Sequence, residues 1–179
     1  MRLFYAVNFA PELRDTLQSL QDELRINVHH GRWADLENLH ITLHFVGEAE
    51  ESELSMFKEA LDIAAEGIKP FNIRFTSYGS FRQGKQDLIY IKTKNSGDSL
   101  SLLADGLKNK LKRGDMKSFV PHITMVRRAE IKYQTLKLLK KQRFDLPPVM
   151  VKTVELMESK KINGKLSYIP IYSLKLTEN

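Results

Sequence analysis

The sequence predicts an α+β fold in which two similar lobes form a sandwich, with antiparallel sheets lining a central cleft and helices on the outer faces. Three observations carry this. The tripeptide His-Ile-Thr occurs twice, at His40-Ile41-Thr42 and His122-Ile123-Thr124, about half a chain apart. Each copy lies in an apolar, strand-like run, LHITLHFVG and FVPHITMV. Around each copy the apolar spacing repeats one order: helix, motif strand, helix, strand.

Taken along the chain, Arg2–Phe9 is strand-like, and Pro11 opens a helix, the position proline tolerates best. Leu13, Leu17, Leu20 and Leu24 recur on one face of it. Arg32–Asp35 reads as a short strand. Leu39–Val46 alternates, with Leu39, Ile41, Leu43 and Phe45 on one side and His40, Thr42 and His44 on the other. A second helix covers Glu50–Ala65, with Gly67 as its stop. Phe71–Tyr78 and Leu88–Thr93 are strands separated by the polar loop FRQGKQD. Leu100, Leu103, Leu107 and Leu111 mark a third helix over Asp98–Leu111. Phe119–Val126 is the second motif strand, Tyr133–Gln142 is helical, and Val149–Met157 and Leu166–Leu176 close the chain around a basic loop, SKKINGK. The two halves match poorly outside the motifs, but the shared order points to an internal duplication. The 179 residues are expected to form one bilobal domain.

Composition narrows the function classes. There are no cysteines, which excludes disulfides, thiolate nucleophiles and cysteine metal sites, and a reducing, cytoplasmic setting is expected. No apolar stretch approaches the roughly 18 residues of a membrane span, and no membrane partner is expected. The N-terminus, MRLFYAVNFAPELRD, reads as a strand and not a signal peptide. A net charge of +6 suits a polyanionic partner, although many basic proteins bind none.

Residues i and i+2 of a strand share a face, so each motif projects an imidazole and a hydroxyl side by side. A single strand histidine is usually structural. Two identical His-x-Thr rows, each opposite an apolar face, are hard to explain as packing, because buried polar groups cost free energy unless hydrogen-bonded. Facing each other, His40, Thr42, His122 and Thr124 supply two proton-transfer groups and two hydroxyl donors around one anion, the set that phosphodiester chemistry needs. A metal site on His40, His44 and His122 is the obvious rival. On a strand His40 and His44 stand about 13 Å apart, while two zinc ligands need nitrogens about 2 Å from one ion. No metal and no cofactor are therefore expected, and His44 reads as a partly exposed strand-end histidine. His29 and His30 fall in a loop. Neither a Gly-x-Ser-x-Gly elbow nor a Walker-type phosphate loop is present.

At these residues the chain resembles the two-histidine phosphoesterase superfamily, and within it the RNA 2′,3′-cyclic phosphodiesterases, also described as RNA 2′-5′ ligases. The resemblance runs through RLFYAVNF, the lead-in from Trp33 to Leu39, HITLHFVG, SYGSF, PHITMVR, and VELMESK followed by Tyr168. It implies two lobes around a cleft and a catalytic pair, His40 and His122. It also implies substrate contacts from Thr42, Thr124 and Arg127, the basic residue after the second motif. Strict alternation puts Arg127 opposite His122, so it reaches the cleft only through a bend or a strand end. The first motif has Phe45 in that place. Tyr168 is the candidate aromatic of the closing segment.

The implied activity is metal-independent hydrolysis of RNA 2′,3′-cyclic phosphate ends to 2′-phosphates, with possible reversal as 2′-5′ ligation. By analogy His122 is the base and His40 the acid. The expected partner is RNA or a nucleotide with a cyclic phosphate end, and a monomer is expected. The alternatives are a non-catalytic RNA-end or nucleotide-binding module, and an enzyme acting on another cyclic phosphate. Trp33, Phe9, Phe81 and Tyr168 could stack on bases, and the basic loops Arg82–Lys85 and Lys160-Lys161 could meet an RNA backbone, but core packing and solvated turns explain them as well.

Overall fold

The computed structural model describes residues 1–95 and 97–178. Its strands are β1 (Arg2–Asn8), β2 (His30–Trp33), β3 (His40–Glu48), β4 (Phe71–Gln83), β5 (Gln86–Asn95), β6 (His122–Glu130), β7 (Val149–Val151), β8 (Thr153–Ile162) and β9 (Lys165–Lys175). The helices are α1 (Arg14–Asn27), α2 (Leu54–Ala65), α3 (Ser99–Leu111) and α4 (Tyr133–Lys141). Among the described residues the strands form one curled sheet in the order β7-β4-β5-β6-β3-β1-β8-β9, with β2 pairing β6. Every pairing is antiparallel. The expected sheets are thus two wings of one sheet. They touch through a single register pair, Ile41 opposite Ile123, at the centre of the two motifs.

The order encodes a pseudo-twofold exchange. The first half runs β1, α1, β3, α2, β4, and the second runs β5, α3, β6, α4, β8. Each half gives its last strand to the other: β4 pairs β5, and β8 pairs β1. One face of the sheet carries the core. Leu17 and Leu24 of α1, Phe57 and Leu61 of α2, and Leu100, Leu103 and Leu107 of α3 bury against Ile41, Ile73, Ile89, Ile91 and Ile123. Tyr5, also in this layer, hands its hydroxyl to the Phe57 carbonyl at 2.8 Å, so its one polar atom is satisfied. A reciprocal pair of hydrogen bonds between Glu50 and Glu53 starts the turn that leads into α2. Among the described residues no helix is long and apolar enough to cross a membrane.

Two expected loops are hairpins. FRQGKQD is mostly strand, since β4 and β5 stay in register down to Gln83 opposite Gln86. SKKINGK is the tip of the β8–β9 hairpin, where Asn163 and Gly164 both take positive φ (50° and 80°). That is the backbone twist an Asn-Gly hairpin turn supplies.

Candidate active site

Because β3 and β6 are antiparallel about Ile41–Ile123, His40 lies beside Thr124 and Thr42 beside His122. The two histidines occupy diagonal corners of a square, with a threonine at each remaining corner. All four line a cleft of about 270 Å3 together with Arg32, Trp33, Asp35, Asn38, Arg127, Leu166 and Tyr168.

Both imidazoles are fixed in the same way. Nδ1 of His40 lies 2.7 Å from the carbonyl of Asn38, and Nδ1 of His122 lies 2.6 Å from that of Val120. A carbonyl only accepts, so each Nδ1 carries the proton. In the neutral ring Nε2 is then a lone pair, and in His40 it accepts from the Thr42 hydroxyl at 2.9 Å. Aromatic side chains wall both rings. Phe4 and Tyr168 lie 5.0 and 5.1 Å from the His40 centroid, and Tyr90 and Phe81 lie 5.1 and 5.4 Å from that of His122. Burial pushes His40 down to about 4, with Arg127 and His122 adding to the fall and the Asn38 hydrogen bond opposing it. His122 is lowered for the same first reason and by Arg127. Both rings are therefore neutral at pH 7 when the cleft holds no anion.

A bulge brings Arg127 to the cleft. In the β5–β6 ladder Tyr90 faces Thr124 and Ile89 faces Val126, which leaves Met125 unpaired. Met125 and Val126 are consecutive and both buried, so the alternation slips by one and Arg127 returns to the His122 face. The same slip occurs in β3, where Ala6 faces Thr42, Tyr5 faces His44, and Leu43 is skipped. It overturns the sequence expectation for His44. That side chain is 4% exposed on the core face, where its Nε2–H donates to the Arg113 carbonyl at 2.7 Å. His44 therefore stands on the opposite side of the sheet from His40.

Of the suggested aromatics, Trp33 and Tyr168 line the cleft and Phe81 touches His122. Phe9 packs edge-on against Phe75 instead. Arg82 of the first basic loop is spent on Asp87, at 2.7 Å. Lys160 and Lys161 lie on the β8–β9 hairpin outside the cleft lining. Sequence reasoning missed Arg32, which β2 places opposite Arg127. It also missed Asn38, whose amide holds the hairpin by donating to the Leu166 carbonyl at 2.9 Å. The short strand at Arg32 was legible, but its partner was not.

Comparison with known proteins bears on the family and the fold. A family model described as LigT like Phosphoesterase matches residues 7–90. An Archaeoglobus fulgidus protein named RNA 2′,3′-cyclic phosphodiesterase is 34% identical over 131 residues, 71% of this chain and 72% of that one. A Thermotoga maritima protein of the same name is 28% identical over 155 residues, 84% and 81% of the two chains. A crystal structure from Thermus thermophilus superposes with a TM-score of 0.77 at 27% identity and covers 100% of both chains. That of E. coli LigT, at 23% identity, shares the fold with a TM-score of 0.71 over 99% of this chain and 98% of that one. With relatives of this extent on record beside the paired motifs, the chain belongs to the LigT-like phosphoesterase family.

Proposed function

We propose that this protein is an RNA 2′,3′-cyclic phosphodiesterase that opens the cyclic ester to a 2′-phosphate by two-histidine acid–base catalysis. The observation that carries the reading is the diagonal square of His40, Thr42, His122 and Thr124, with both Nδ1 atoms tied to backbone carbonyls. The relatives named above support the substrate class.

In the reaction one neutral Nε2 takes a proton from water as its oxygen attacks phosphorus. The P–O3′ bond breaks, and the other ring, as imidazolium, gives its Nε2 proton to O3′. By family resemblance His122 is the base and His40 the acid. Protonating His40 turns its Nε2 into a donor, which frees the Thr42 hydroxyl to turn toward a non-bridging phosphate oxygen. Thr124 does the same from the other corner, and Arg127 neutralises the charge that builds there. An arriving phosphodiester anion raises the proton affinity of both rings and so supplies the charged form that burial disfavours. The pseudo-twofold makes the opposite assignment of acid and base chemically equivalent for a substrate bound the other way round. Run backwards, the same steps close the cyclic ester with loss of water, and with a ribose 5′-hydroxyl in place of water the forward steps give a 2′–5′ phosphodiester.

The test is incubation with an oligoribonucleotide ending in a 2′,3′-cyclic phosphate, with EDTA present. Conversion to the 2′-phosphate, lost in both His40→Ala and His122→Ala, is the expected result. Binding without turnover by the parent protein would instead make the cleft a recognition module, and turnover of other cyclic phosphates alone would move the substrate class.

A further inference from the structure

The square is nearly symmetric, but the two wings beside it are not. Asn8 of β1 faces His40 in register, and Lys92 of β5 faces His122. On the His40 side Asn8 donates to Glu155, which also accepts from Ser173 at 2.8 Å. The groups beside His40 satisfy each other around a carboxylate. On the β5–β4 wing beside His122 the charged row consists of cations. Along β5, Tyr90, Lys92 and Lys94 share the face that bears the His122 ring, because Ile89, Ile91 and Thr93 are buried on the other. Arg74 of β4 stands directly opposite Lys94.

Among the described residues this patch has no carboxylate paired with it. Like charges directly opposite on neighbouring strands are destabilising. The other register partners on this face are Ser77 beside Lys92 and Met150 beside Asn72. Among the described residues none of Arg74, Lys92 and Lys94 makes an ion pair. Arg74 and Lys94 are exposed, and from Lys92 to Lys94 the row advances roughly 7 Å along the strand.

We propose that Lys92, Lys94 and Arg74 form a track for the backbone of the RNA strand on the 5′ side of the terminal nucleotide, leading away from His122 across β5 and β4. The proposal rests on the cleft being the cyclic-phosphate site, and it makes the preferred substrate an oligoribonucleotide over a mononucleotide. A cyclic-phosphate end leaves only O5′ for the rest of the chain, whose next phosphates need cationic partners. The Glu155 wing sets a carboxylate and a lysine, Lys175, on this face, whereas the Lys92 wing offers three cations and attracts the phosphates. The row thus also chooses which way the substrate lies in a site whose catalytic groups are almost interchangeable.

The experiment compares adenosine 2′,3′-cyclic monophosphate with a hexaribonucleotide carrying the same end, using the parent, an Arg74→Gln/Lys94→Gln variant, and a Lys160→Gln/Lys161→Gln variant of equal charge loss. We expect the first variant to raise KM for the hexanucleotide about tenfold at low salt and to flatten its log–log salt slope by about 1.4, the value for two lost phosphate contacts. Its kinetics on the mononucleotide and the hairpin variant's kinetics on both substrates stay at the parent level. An unchanged hexanucleotide KM, a parallel rise on the mononucleotide, or an equal effect of the hairpin variant overturns the track. If the parent turns over neither substrate, the catalytic reading fails. Anisotropy of a labelled hexanucleotide bearing a 2′-phosphate then decides the track separately, and equal affinity for parent and first variant overturns it.

Discussion

The two motif strands are built alike up to the bulge and differ just beyond it. Both hold Nδ1 of the histidine on the carbonyl two residues before it. Both skip one residue, Leu43 or Met125, at equivalent register positions. After the slip β6 presents Arg127 to the cleft, while β3 presents Phe45, which joins the small apolar cluster of Phe4, Ala6 and Met157 and lies 5.0 Å beneath the Arg2 guanidinium. The two copies thus share the seating of the histidine, each ring walled by aromatic side chains, and differ in the residue that follows the bulge. Under the proposed function that difference leaves the His122 strand to bring charge to the phosphate.

The sharpest way to break the comparison is to remove each imidazole in turn. His40→Ala and His122→Ala should each lower kcat/KM by about 10²–10⁴. The double variant should fall well short of the product of the two, because the rings act as a unit. A loss confined to one of them would mean that only one wing does proton transfer.

Next come the residues after the bulge. Arg127→Gln should cost about 10²–10³ in kcat, the range for losing one preorganised transition-state donor. Phe45→Leu should leave kcat within a few-fold, since Phe45 offers no donor. Comparable losses at the two positions, read in steady-state kinetics, would erase the proposed division of labour.

The pH profiles probe the same contrast more gently. The acid must be protonated, so its activity is present below its pKa and lost as pH rises through it. Both rings are lowered in the free protein, His40 to about 4. The alkaline limb of kcat/KM should therefore begin below pH 6.5, and that of kcat should lie higher, because bound phosphate raises the pKa. Coincident limbs would mean that the anion does not recharge the rings.

The smallest effect is on stability. Between pH 6.5 and about 4 the unfolded chain binds a proton at His40 that the folded chain refuses, so stability falls as pH drops through that window. His40→Gln removes this contribution. Its urea midpoint should drop less than the parent's between pH 7 and pH 4.5, and an equal drop would place the burial of His40 in doubt.

Much of this was legible in the sequence. Residue types and period were enough for the four helices, for the motif strands and for His40, Thr42, His122 and Thr124 as one constellation. The bulges were not, because strict alternation is the simplest reading of a strand and both skipped residues are apolar. The slip in β3 explains the misplacement of His44, and the slip in β6 resolves the difficulty over Arg127. The long hairpins were shortened for a related reason. Polar residues at their tips look like loops, although the Asn163-Gly164 pair was a signal for a tight turn. Arg32 and the cationic row on β4 and β5 depend on which strands become neighbours, and that information lies far apart along the chain.

The strand exchange between halves has a consequence for biosynthesis. β1, the first strand to emerge during translation, must wait for β8 before its second edge is paired, with Leu3 opposite Glu158. Tyr168, which walls His40, comes from the still later β9. Such long-range closure slows folding. It also means that a growing chain carries the first motif for most of its synthesis without a finished pocket around it.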